Sequence, residues 1–172
     1  MPSLIAVAFI LYRESPRRLF APPRGGIVRS LGCVGVALLS FFVLSSGLRV
    51  LWVRLHGAAG RPLPIVPEGL WWPDVALLAA LGHYLIVAVV EEAVHRGVLQ
   101  ETIRHYLPSW MAVLSVSLLF GVIHVRPLGA TLPLVAFGAV AGVLVLRFRS
   151  LLPAVVLHWA VNFLAHLLRV SQ

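Results

Sequence analysis

Lysine is absent from this chain of 172 residues, and only six residues are acidic. All 14 basic residues are therefore arginine, which excludes a lysine as a catalytic base. Charged residues make up 12% of the sequence, where an ordinary soluble domain carries about 25%. Hydrophobic residues make up 60%, and the mean hydropathy is +0.96. These values exclude a disordered chain, a coiled coil and a soluble globular enzyme. They leave an integral membrane protein with several spans. A spanning helix needs about 20 apolar residues, which limits the chain to about six spans. The single cysteine, Cys33, excludes an internal disulfide and a cysteine-based metal site, and it reads as a small packing residue in an apolar run.

The net charge of +8 does not indicate a nucleic-acid partner. The arginines flank apolar runs and do not form a stripe with interleaved aromatics. Membrane orientation and attraction to anionic headgroups account for them.

Hydropathy predicts an all-α, polytopic transmembrane bundle of about five spans in one integral membrane domain, residues 1–172. Residues 1–12 are a short apolar segment with neither the basic leader nor the small-residue site of a cleaved signal peptide. A basic loop follows, with Arg13, Arg17, Arg18, Arg24 and Arg29, so residues 1–29 form an N-terminal segment. The first span runs from about Ser30 to Val53, and residues 30–73 comprise it and its loop. That loop holds Gly57, Gly60, Arg61, Pro62, Pro64 and Pro67, and Trp71 and Trp72 stand where a membrane-interface belt would place them. Residues 74–172 are the core helices: about Pro73 to His105, Pro108 to His124, Leu128 to Leu146, and Leu152 to Leu168. Gly138-x-x-x-Gly142 lies in the fourth span and reads as helix packing only.

Ionisable groups at membrane depth are costly and mark function by default. Three groups qualify: Glu91-Glu92-Ala93-Val94-His95-Arg96, Phe120-Gly121-Val122-Ile123-His124, and His158-Trp159-Ala160-Val161-Asn162. Glu92 and Arg96 are four apart, share a helix face and can pair. Glu91 is rotated away by about 100° and shares its face with His95. Glu92 is then neutralised, and Glu91 is left to accept a proton, as a general base must. His158 and Asn162 project together into one site. Glu91 lies 16 residues before a turn near Leu107 and His124 lies 17 after it. In an antiparallel hairpin both sit roughly 24 Å from that turn. A carboxylate and an imidazole at one depth can hold a water between them. His56, His83, His105 and His166 read as interface or packing residues, and His95 stays open between packing and function.

Glu-Glu-x-x-x-Arg, Phe-x-x-x-His and His-x-x-x-Asn, in that order on successive helices over residues 91–162, resemble the CPBP family. This family comprises CAAX prenyl proteases (Abi or Rce1-like proteins) and bacteriocin-processing or self-immunity proteins. The resemblance implies a glutamate-type intramembrane endopeptidase in the cell membrane, acting on a peptide or protein substrate. Glu91 would activate water, and His124 would help to hold it. Glu92 and Arg96 would orient the site, and His158 and Asn162 would stabilise the oxyanion. No cofactor is then required. The family has been described as metal-dependent, and Glu91, His124 and His158 could supply three zinc ligands with one open position. A metal-free mechanism uses the same atoms, and the absence of a His-Glu-x-x-His core favours it. With about five spans where eight are expected in prenyl-protease members, the chain points toward a leader, a bacteriocin precursor or a C-terminal sorting tail as substrate.

Two other readings use the same residues. One is a non-catalytic immunity or binding protein on the same scaffold. The other is a metal or proton translocator, since Glu92-x-x-His95 is half of a di-iron motif whose second half is missing. For orientation, Arg13, Arg17, Arg18, Arg24, Arg29, Arg104, Arg147 and Arg149 outnumber Arg54, Arg61, Arg126 and Arg169 at the opposite end, which places residues 13–29 in the cytoplasm. Glu91 and His124 then fall in the half of the membrane away from the Leu107 turn, whereas the resemblance implies a site open to the cytoplasm.

Overall fold

A computed structural model describes residues 20–56, 73–126 and 128–170. The segment 1–12, Arg13, Arg17 and Arg18, the loop from Gly57 to Pro67, and Trp71 and Trp72 lie outside the described residues. The elements are α1 (Ile27–His56), α2, α3 (Ser109–Ile123), α4 (Leu128–Phe148) and α5 (Leu152–Val170). Helix α2 is Pro73–Glu92, continued by a π-helical stretch Ala93–Gln100 and a last α turn Glu101–Arg104. Among the described residues there is no strand.

The expected spans are all present as helices. Among the described residues, three segments are long and apolar enough to cross a membrane: Ile27–Gly47, Leu78–Arg104 and Ala130–Phe148. Ser109–Ile123 and Leu152–His166 are shorter apolar helices. Helix α3 is short for local reasons. Pro108 caps its start, and Val125, with a left-handed φ of 46°, ends it. His124 thus becomes the C-cap of α3.

The helices bury small residues where they meet. Ala88, Ala112, Ala141 and Ala154 are fully buried, which lets backbones approach closely, as helix association in lipid requires. Phe120, Phe137, Ala141, Leu144, Phe148, Ala154 and Leu157 form the main core with Val34 of α1. Large apolar side chains such as Val36, Leu39, Ile86, Val122 and Val143 point outward. An outer surface of this kind suits a hydrocarbon solvent.

Helix α2 changes partners along its length. Its Pro73–Glu92 part packs on α5, and its π-helical part packs on α3 and α4. Helix α1 covers α4 and α5. A tight turn at Arg149 (φ 52°) joins α4 to α5. The chain before α1 is fastened to that turn: Arg24 N donates to the Phe148 carbonyl at 2.9 Å, and Ser150 Oγ donates to the Ala21 carbonyl at 2.7 Å. Residues 21–26 and the α4–α5 turn therefore share one end of the bundle, as the arginine count supposed.

Candidate functional site

The two glutamates stand where α2 changes both partner and helix type. Glu92 is fully buried, while the Glu91 side chain is 32% exposed. Arg96 Nη1 donates to Glu92 Oε1 at 3.1 Å, so the pairing expected from i,i+4 spacing is present. Arg96 Nη2 donates to the Gly138 carbonyl at 3.0 Å, and the guanidinium lies 4.8 Å from the Phe120 ring centroid. Four residues on, Gln100 Nε2 donates to the Gly142 carbonyl at 3.3 Å. Arg96 to Gly138 and Gln100 to Gly142 have the same sequence offset, so α2 and α4 run parallel and in register here. The two glycines do more than pack. A Cβ on Gly138 would lie 3.0 Å from Ser117 Cα, and one on Gly142 would lie 2.6 Å from Gln100 Oε1. Only glycine lets α2 and α3 come this close to α4 and leaves both carbonyls open to buried donors.

Glu92 has a second partner that spacing along one helix could not show. His158 Nδ1, on α5, donates to Glu92 Oε1 at 2.7 Å. The other ring nitrogen, Nε2, lies 3.8 Å from Glu91 Oε2. The buried oxygen Glu92 Oε1 thus fixes both Arg96 and His158, and it turns the free edge of the imidazole toward Glu91. Glu91 Oε2 accepts no hydrogen bond among the described residues.

His124 is oriented from its own helix. Its Nδ1 donates to the Phe120 carbonyl at 2.6 Å, so in the neutral ring Nε2 carries the lone pair. His95 is tied in the same way, with Nδ1 donating to the Glu91 carbonyl at 2.8 Å. Its ring is buried edge-on against Phe120. Phe120 is the common wall, since His95, His124, His158, Phe137 and Arg96 all lie against its ring.

Glu91, His124, His158 and Asn162 all line one cavity of about 480 Å³. It lies between α4 and α5 on the side away from the turn that joins them, and α1, α2 and α3 complete its walls. His158 and Phe137 pack together at its floor, with ring centroids 4.9 Å apart. Among the described residues no three His, Cys, Asp or Glu side chains are grouped to hold a metal, so Glu91, His124 and His158 are not gathered as a ligand set. His83 and His166, read in the sequence as interface or packing residues, also line the cavity, as does Tyr84.

Ionisable side chains gathered around a cavity inside an apolar bundle are the pattern of a membrane protein. The model of the family described as type II CAAX prenyl endopeptidase Rce1-like matches residues 72–164, more than half of the chain, and the chain belongs to that family. It is thus a member of a peptidase family. No curated protein and no solved structure matches it.

Proposed function

We propose that the protein is a multi-pass cell-membrane endopeptidase. Glu91 activates the water that hydrolyses a peptide bond in a prenylated, leader-bearing or C-terminally anchored substrate. The observation that carries this reading is the convergence of Glu91, His124, His158 and Asn162, from three helices, on one cavity. A water held between Glu91 and the Nε2 of His124 gives its proton to the carboxylate as its oxygen attacks the scissile carbonyl carbon. Negative charge develops on the carbonyl oxygen, where the side-chain amide of Asn162 and the Nε2–H of His158, when that ring carries both protons, can donate. Preorganised donors of this kind are worth a factor of about 10²–10³ each in turnover. Collapse of the tetrahedral intermediate breaks the C–N bond, and the proton on Glu91 passes to the leaving amine. Glu92 and Arg96 act through His158 as positioning residues. No metal is required.

The test is co-expression with candidate precursors encoded beside the gene, scoring cleavage by the wild type and by Glu91→Gln. Loss of a general base is expected to slow cleavage by about 10²–10⁴-fold with the fold intact. Equal cleavage by both would reject the mechanism, and an unchanged phenotype without any cleavage would point to a binding protein on the same scaffold.

A further inference from the structure

A second polar layer lies in the same cavity, away from the glutamates. Tyr84 of α2 and His166 of α5 both line it, with Tyr84 Oη and His166 Nδ1 3.2 Å apart. Their rings also pack, with centroids 5.5 Å apart. Tyr84, Val87 and Glu91 follow one face of α2, and His158, Asn162 and His166 follow one face of α5. Between the layers the walls are apolar but for Asn162: Val87, Leu134, Val161 and Ala165. The cavity thus has a polar floor, an apolar waist and a polar rim.

The pair at the rim has a definite hydrogen-bonding valence. If Tyr84 donates to His166 Nδ1, then Nε2 carries a proton and the phenol oxygen keeps a free lone pair. In the other tautomer Nδ1–H donates to the phenol oxygen, Nε2 accepts, and the phenol O–H is free to donate. Either way the pair presents one donor and one acceptor, which is the complement of a peptide group. Seven residues of helix separate Tyr84 from Glu91, an axial distance of about 10 Å. An extended chain rises about 3.3 Å per residue, so about three residues bridge the two layers.

We propose that Tyr84 and His166 form a specificity-determining subsite, which grips the backbone of an extended substrate about three residues from the scissile bond and leaves apolar side chains in the waist. This rests on the endopeptidase reading for the position of the scissile bond. The test uses binding alone, so that the two stand or fall separately. The protein with Glu91→Gln, in detergent micelles, is titrated with a fluorescent apolar decapeptide of Ala, Val and Leu and with a set of analogues, each carrying one ester in place of one amide. One neutral hydrogen bond corresponds to roughly a three- to tenfold change in affinity. A single ester position should weaken binding by that factor. In the added presence of whichever of Tyr84→Phe and His166→Gln removes the acceptor of that N–H, the ester and amide peptides should bind equally. No sensitive ester position, or a penalty unchanged by Tyr84→Phe and His166→Gln, overturns the subsite. Cleavage by the protein with Glu91 intact is measured separately and bears only on the catalytic reading.

Discussion

Replacing Arg96 by methionine strands a negative charge inside the bundle. Both side chains of the Arg96–Glu92 pair are 0% exposed. Methionine keeps the apolar stem but removes the ion pair, the bond to the Gly138 carbonyl and the cation held over Phe120. Breaking a buried pair from one side costs about 3–5 kcal/mol, and the orphaned carbonyl adds about 1–3 kcal/mol. Arg96→Met should therefore destabilise the protein by about 4–8 kcal/mol. Glu92→Gln keeps an oxygen that can accept from Arg96 and from His158 Nδ1, so its own cost should be smaller. The double variant no longer strands a carboxylate. Its loss should fall short of the sum of the singles by about 2 kcal/mol, within the range expected for directly coupled residues. Unfolding free energies from denaturing-detergent titration in mixed micelles, followed by circular dichroism, provide the cycle. Additivity within about 0.5 kcal/mol, or a loss below about 1 kcal/mol for Arg96→Met, would refute the claim that this pair holds the site together.

Three other outcomes are expected. Gly138→Ala brings a methyl group to 3.0 Å from Ser117 Cα and 3.2 Å from Arg96 Nη2; overpacking of this kind costs about 1–3 kcal/mol, and turnover should fall with melting temperature because Arg96 no longer aligns Glu92. Val125→Gly removes a β-branched residue from a left-handed φ of 46° and should stabilise the protein by about 0.5–1 kcal/mol, seen as a rise in melting temperature. In a Cys33→Ser background, a cysteine at Arg149 should be labelled by impermeant maleimide from the cytoplasm and one at Gly60 only from the opposite side; the reverse pattern would overturn the arginine-based orientation.

Helix periodicity and register alone made much of the site legible. The four-residue spacing of Glu92 and Arg96 paired them correctly, and the depth match placed Glu91 and His124 beside one cavity. What spacing along one helix cannot reveal is a contact between helices. The bond from His158 to Glu92 joins residues 66 apart, so the sequence assigned Glu92 one partner where it has two. The π-helical stretch was unreadable because it is fixed by what packs around α2, where His95, Arg96, Gly97 and Val98 are buried in succession. Gln100 carried a usable signal: it follows Arg96 by the same four residues that separate Gly138 from Gly142. His166 was set aside and Tyr84 passed over because neither alone marks a site, and their meaning comes from the cavity they share.

The π-helical stretch also bears on chain length itself. Each of its turns closes over one residue more than an α turn does. Deleting one residue from the eight of Ala93–Gln100 would let α2 run as an ordinary helix, and the wide turns given up would offset most of the roughly 100° that a lost residue takes from an α-helix. The same deletion in Pro73–Glu92, which has no wide turn to give up, would turn the two ends of α2 against each other by that full angle. These eight residues are thus the place where α2 can absorb a change in its own length.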